Sequence, residues 1–282
     1  MAPPNDVLDF SAIAQSWAWD DVSIGYADAL QEPFAHYADH ALDLAKVRTP
    51  DRVIDVATGP GTLALRAASS TRVTAVDFSS GMLSVLRQRA GPALLGNLTL
   101  VEADGQALPF PDASFDKAFS MFGLFLFADR ARGFAELARV LRPGGIAVVS
   151  SWQPRPDNGV LRVIGEVLWG ASAGAAQQEP PAGGPLSDPE DLRSEMGAAG
   201  FDVTLHSVDH ALNTLNLHAL WQSMQQAHVG LGIARKQLTA AGYERLCSRI
   251  ERRLRDELHD GPQTLHMPAW LAHGVKRVRP AL

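Results

Sequence analysis

The chain has little of what several protein classes need. It holds one cysteine, Cys247, among 282 residues, so no internal disulfide can form and no second thiol completes a metal site. Positive charge is not in surplus: 25 Lys and Arg against 31 Asp and Glu leave a net charge of −6, which argues against a protein built to coat nucleic acid. The longest apolar run, residues 118–128, is about half of what a membrane span requires. The opening MAPPNDVLDF lacks the basic stretch and apolar run of a signal peptide. His36 and His40 stand one helical turn apart, but no HExxH pattern and no third ligand accompany them, so no metal is expected. There are no internal repeats. A cytoplasmic protein without a membrane span is the expectation. Oligomeric state is not readable.

What is present suits a soluble enzyme. Apolar residues make up 46 % and charged residues 20 %, with length enough for one α/β domain and an appendage. The chain is organised around RVIDVATGPGTLAL, residues 52–65. A β-branched run suited to a buried parallel strand breaks at Thr58-Gly59-Pro60-Gly61 and restarts with helical spacing. Glycines at such a turn let a ligand lie against bare backbone, and the helix start offers unpaired N–H groups. This is a nucleotide-type site, open to two readings. Gly59-x-Gly61-x-x-Ala64, with Asp77 following, fits a dinucleotide fingerprint. Asp55, inside the strand, would serve a pyrophosphate poorly but suits the ammonium and sulfonium of S-adenosylmethionine.

Strand and helix then alternate. Residues 71–76, 98–103, 117–120 and 146–151 read as strands, with helices after Phe78-Ser79-Ser80 and from 129 to 141, predicting a parallel, doubly wound sheet. Asp77 at one strand tip can hold a ribose diol, and Asp104 at the next can take an adenine amine. Before the first strand lie Trp17, Trp19 and Tyr26 and a helical pattern through Phe34, Tyr37, Ala41, Leu44 and Val47; the aromatic group is read as a lid. After Trp152 a helix over 160–169 precedes a loop at 171–185 and a capped helix ending at Gly200. A strand over 201–208, helices over 215–227 and 234–258, and a last strand over 264–278 complete the reading. The mixed charges of the long helix around Arg245, Arg249 and Arg253 read as a solvated face.

With these pieces in order the chain resembles the class I S-adenosylmethionine-dependent methyltransferases, in the branch of quinone-biosynthesis and small-molecule (type 11-like) enzymes. The matching stretches are VIDVATGPGTLAL, AVDFSSGML, VEADGQALPFPDASFDKAFS, LARVLRPGGIAVVSSW and SDPEDLRSEMGAAGF, spanning Val53 to Phe201. The resemblance implies a Rossmann-like, doubly wound seven-stranded α/β sheet with its last strand antiparallel. It divides the chain into an N-terminal helical lid (1–49), a cofactor-binding core (50–154) and a remainder with helical insertions (155–282). Asp55, Ala57, Gly59 and Gly61 would line the methionine end of the cofactor. Asp77 would hold the ribose, with Phe78 and Met82 near the adenine framed by Asp104, Gly105 and Gln106. Ser120, Met121 and Phe122 would border the methionine moiety. Ala57 departs from the glycine frequent in the family. Ser120-Met121-Phe122-Gly123 stands where amine-directed nucleic-acid enzymes carry Asn- or Asp-Pro-Pro-Tyr, and paired cysteines for arsenite or cytosine C5 chemistry are missing.

Methyl transfer from a sulfonium is an in-line displacement, accelerated mainly by placing the nucleophile near the methyl in a closed site. A base is needed only where the acceptor must lose a proton. Tyr26, His36, His206, His210 and His228 are candidates without a motif around them, and no catalytic residue is assigned. Trp17, Trp19, Tyr26, Trp152 and Trp221 form the expected lid and substrate surface, and they predict an aromatic, quinone-like or secondary-metabolite acceptor methylated at O or C. The other readings are a protein methyltransferase, a non-catalytic cofactor-binding partner and, more remotely, an NAD-dependent oxidoreductase.

Overall fold

The computed structural model describes residues 7–154, 159–172, 184–214, 216–258 and 261–278. A 3-10 turn (Phe10–Ala14) leads into α1 (Ser16–Asp20) and α2 (Ser23–Ala45), which precede β1 (Arg52–Val56). The glycine turn then opens α3 (Thr62–Ala67), followed by β2 (Arg72–Asp77) and α4 (Ser80–Leu95). Ser79 caps α4 by accepting from Met82 N, and Gly91 bends it just before Pro92. Next come β3 (Leu98–Glu102), β4 (Phe115–Ser120), α5 (Arg130–Val140) and β5 (Leu141–Trp152). The second half holds α6 (Gly159–Gly170), α7 (Pro189–Ala198), β6 (Phe201–Val208), β7 (Ala211–Thr214) and α8 (Leu217–Ala227). It ends with α9 (Val229–Gln237), α10 (Ala240–Glu257), β8 (Gln263–His266) and β9 (Ala269–Lys276).

Seven strands form one sheet in the order β3-β2-β1-β4-β5-β9-β6. β1 to β5 pair in parallel, and β9 runs antiparallel to both β5 and β6. This is the expected doubly wound α/β architecture. Alternation along each strand feeds two cores. Val53, Phe119 and Val148 meet α2, α3 and α4 on one face; Ile54, Ala118 and Val149 meet α5 and α7 on the other. Asp55 points to the same side as Val53, beneath α2. A third cluster joins α6, α8 and α10 through Val163, Trp221, Leu246 and Ile250. On α10 the opposite face carries ion pairs such as Arg253 with Glu166 and Glu257, a solvated face as its mixed charges indicate. Among the described residues no helix is long and apolar enough to cross a membrane.

Two expectations need correction, and one strand was not expected. The last strand is two: β8 pairs with β7 in a separate ribbon, and only β9 enters the main sheet. Pro268 stands between them, and a residue without an N–H cannot extend a ladder. The helix expected over 234–258 is broken at Leu238, in extended conformation, and Thr239, whose hydroxyl caps Gly242 N. β7 went unexpected because its four residues carry no β-branched run. Of the loop placed at 171–185, residues 173–183 lie outside the described residues, as does Leu215 of the helix placed at 215–227.

Candidate active site

The site grows from the carboxyl ends of the parallel strands, where open α/β sheets leave room for ligands. Past β1 the backbone turns through Ala57 at φ +55°, Gly59 at φ +56° and Gly61 at φ +85°. The two glycines do different work. A Cβ on Gly59 would meet nothing within 4 Å, whereas one on Gly61 would lie 2.1 Å from Leu86 Cδ1. Gly59 therefore exposes backbone to the cleft, and Gly61 seats the start of α3 against α4.

Asp55 and Asp77 are both buried. Thr58 Oγ1 donates to Asp55 Oδ2 at 2.6 Å and the Ala64 N–H approaches the carboxylate more weakly, while Asp55 Oδ1 has no partner at hydrogen-bond distance. Burial, with the charge of Asp77 adding to it, pushes the Asp55 carboxyl up to about 7 against the opposing Thr58 bond. Asp77 accepts from Gly59 N at 2.8 Å and Ser79 N at 3.0 Å; burial still raises it to about 6, and repulsion from Asp20 contributes. Its carboxylate has lone pairs left over for a diol. Ser120 Oγ is also buried and unpartnered. A buried acid with one oxygen unsatisfied is costly in isolation, and a ligand bringing an ammonium removes that cost. The residues present thus fit an amino-acid-bearing, ribose-bearing cofactor.

Two cavities open here. The larger spans about 790 Å³, part of it open to solvent, and is lined by Ala57, Gly59, Asp77, Phe78, Met82, Asp104, Gly105, Gln106, Met121 and Phe122 of the predicted site. The smaller encloses about 390 Å³ and holds Asp55, with Thr58, Thr62, Phe34 and Ala38. Tyr26, Ala57, Gly59 and Met121 line both, so they form the junction between the Asp55 end and the Asp77–Asp104 end. Gly61 and Ser120 line neither.

Of the predicted lid and substrate residues, Trp19 and Tyr26 line the larger cavity. Trp17 lines neither cavity; it packs against Ala12, Ala18 and Ile233, with Lys236 Nζ 4.6 Å from its ring centre. Trp152 stacks on Phe122 at 4.1 Å, part of a group with Phe34 and Tyr37. Trp221 is 3 % exposed and packs in the core of α6, α8 and α10, away from both cavities. The sequence reading missed Ile13, Ala14, Ala103, Gly123, Leu126, Phe127 and Ala128 in the larger cavity. The apolar run after β4 was the available signal for the last three.

The structure also sorts the candidate bases. His228 caps α9 by accepting from Gly230 N, and burial pushes it down to about 4. His36 packs against His40 and His210 beside β7, held below the usual imidazole range by burial and by those two neighbours. Among the described residues no three His, Cys, Asp or Glu side chains are arranged to hold a metal. His206 faces His273 in the sheet at 6.4 Å. Only Tyr26 of the five lines the cavities. Burial and the charge of Asp77 raise its phenol above the usual range, so it is a hydroxyl donor throughout the physiological range.

The chain is similar to known methyltransferases. Residues 53–145 match a family model described as a methyltransferase domain. A demethylmenaquinone methyltransferase of Thermus thermophilus is 38 % identical over 177 residues, 58 % of this chain and 80 % of that one. A ubiquinone/menaquinone biosynthesis C-methyltransferase of Geobacter sulfurreducens is 36 % identical over 55 % of this chain and 66 % of its own. Among solved structures, the [4+2]-cyclase SpnF superposes with a TM-score of 0.63 at 20 % identity, covering 99 % of this chain and 98 % of its own. At that identity the likeness speaks for the fold alone.

Proposed function

The chain belongs to the class I S-adenosylmethionine-dependent methyltransferases, in the quinone-biosynthesis branch, and from that premise we propose that it methylates a ring carbon of a quinol-like small molecule. The observation that carries the reading is the unpartnered Asp55 oxygen in a cavity that joins, at Tyr26 and Met121, a second one flanked by aromatic side chains. When bound, S-adenosylmethionine supplies an electrophilic methyl on a good leaving group. Asp55 would hold its ammonium, Asp77 its ribose diol, and Asp104 with Gln106 the adenine edge, between Phe78 and Met82.

The chain's own contribution is placement and exclusion of water. At the junction, Met121 and Tyr26 confine the space in which nucleophile and methyl meet. Phe122, backed by the stacked Trp152, which itself lines neither cavity, and with Phe34 beside it, gives a flat apolar acceptor a wall to pack on. The described part of the N-terminal segment, residues 7–49, acts as the lid through Ile13, Ala14, Trp19 and Tyr26. With the donor held there, the acceptor's ring carbon would take the methyl, sulfur would leave as a neutral thioether, and the ring proton would be released to solvent. Tyr26, protonated at neutral pH, donates to the acceptor's oxygen rather than taking that proton.

The test is transfer of isotope-labelled methyl from S-adenosylmethionine into a cell extract by the purified protein. Label in the organic-extractable, low-mass fraction, on a ring carbon by mass spectrometry, is the expected result. Label confined to protein or nucleic acid would overturn the substrate class.

A further inference from the structure

Helix α1 has five residues, too few to persist without outside contacts, and two adjacent carboxylates fix it on opposite sides. Asp20 Oδ1 accepts from Ser79 Oγ at 2.6 Å and from Gly81 N at 2.8 Å. Asp21 Oδ2 pairs with Lys236 Nζ of α9 at 2.6 Å, and the same ammonium lies 4.6 Å from the ring centre of Trp17. Between these ties the segment presents Trp19 to the larger cavity, with Trp19 Nε1 donating to Ile13 O at 2.8 Å.

The Asp20 contact reaches further than a cap. Ser79 already caps α4 through Met82 N, so its hydroxyl accepts from its own helix and donates to Asp20. Ser79 N donates to Asp77 Oδ1, and Gly59 N donates to Asp77 Oδ2. An unbroken chain of hydrogen bonds therefore runs from the cavity's roof, through Ser79 and Asp77, to the glycine turn. The approach depends on Gly81, where a Cβ would stand 2.8 Å from Asp20 Cα.

We propose that Asp20 is a positioning residue for methyl-donor binding, a latch that closes the Trp19 roof over the cleft through the same turn that orients Asp77. This rests on the donor occupying the cleft as read above. A diol seated on Asp77 steadies Ser79, Ser79 steadies Asp20, and the roof stays down while the cleft is filled. The residence time of the ligand is then set by opening of the latch.

The test is stopped-flow tryptophan fluorescence with S-adenosylhomocysteine on the intact protein. Asp20→Ala is expected to raise both the dissociation and the association rate, dissociation by at least about tenfold, since both charge-assisted contacts of Asp20 are lost. Asp20→Asn keeps an acceptor oxygen and should stay within about threefold of the parent. Lys236→Ala unties the other side of α1 without touching α4, and should speed both rates in the same direction. Damage to the fold does not speed entry, so faster association separates a latch from a structural role. Should Asp20→Ala fail to fold, the Lys236→Ala rates decide alone. Unchanged rates in a folded Asp20→Ala, or in Lys236→Ala, would overturn the latch. Failure of the parent protein to bind S-adenosylhomocysteine would instead overturn the assignment of the cleft.

Discussion

Donor binding should be coupled to release of protons, and the structure sets both sign and size. In the unliganded protein Asp55 titrates at about 7 and Asp77 at about 6, both raised chiefly by burial. An ammonium on Asp55 and a diol on Asp77 favour the ionised forms, so ligand lowers both values. Affinity is then full above pH 7 and falls as the pH drops through 7 and then 6. A carboxyl at about 7 is about 99 % protonated at pH 5, so Asp55 alone weakens binding about 100-fold between pH 8 and pH 5, on the order of 3 kcal/mol. Asp77 adds about a further tenfold at pH 5.

Stability of the unliganded protein runs the other way. A carboxyl whose folded value is raised contributes most below its ordinary value near 4, and that contribution is lost as the pH rises through 7 for Asp55. Asp55→Asn should therefore stabilise the unliganded protein at pH 8, by about 2–4 kcal/mol, while weakening donor binding. Calorimetric titration with S-adenosylhomocysteine, in two buffers of different ionisation enthalpy, reads the proton count directly. About half a proton should leave Asp55 at pH 7 and about nine-tenths at pH 6, where Asp77 releases about another half. Affinity that stays flat from pH 5 to 8, or an Asp55→Asn protein with the same slope as the parent, would refute the reasoning.

Other positions give independent checks. Tyr26→Phe keeps the ring but loses the hydroxyl, and kcat should fall about tenfold with no change in the shape of its pH profile from 6 to 9, since the phenol titrates above that range. Trp152→Ala removes the ring stacked on Phe122; acceptor KM should rise about tenfold in steady-state kinetics while donor affinity holds. Gly61→Ala forces a left-handed residue against Leu86, and denaturant unfolding should show a loss of more than about 2 kcal/mol.

The sheet was readable because its strands are β-branched runs stopped by glycine, proline or acid, and because each strand tip carries a residue with a chemical reason to be there. Asp55 and Asp77 are of that kind: a carboxylate in an apolar strand signals a ligand or a partner. Asp20 could not be read, since its partners Ser79 and Gly81 lie about sixty residues away and one acid in Trp-Ala-Trp-Asp-Asp looks like the next. The β7–β8 ribbon is set by pairing between segments about fifty residues apart, which no local pattern encodes. Trp221 misled for the opposite reason. Its type suggested a substrate surface, but composition does not say which cavity or which core an aromatic side chain fills.

The junction of the two cavities carries one more testable constraint. Ala57 sits at φ +55°, a conformation glycine adopts without strain, and its Cβ points at the backbone of Gly123. A Cβ added at Gly123 would lie 2.4 Å from Ala57 Cβ, and the next atoms are 3.5 Å away. Gly123 itself is at φ −110°, which alanine tolerates, so its only obstacle is the methyl of Ala57. Gly123→Ala alone should therefore destabilise the protein by about 1–3 kcal/mol and loosen donor binding. Ala57→Gly alone should be near neutral, relief of left-handed strain offsetting the extra freedom of the unfolded chain. In the double variant the two methyls no longer collide, and a coupling energy of about 1–3 kcal/mol should return most of the stability. A cycle in which the two changes simply add would mean that Gly123 is held by something other than Ala57. The pair explains why alanine can stand where the family often has glycine: one small residue is demanded at this contact, and here it is supplied from the strand β4 side.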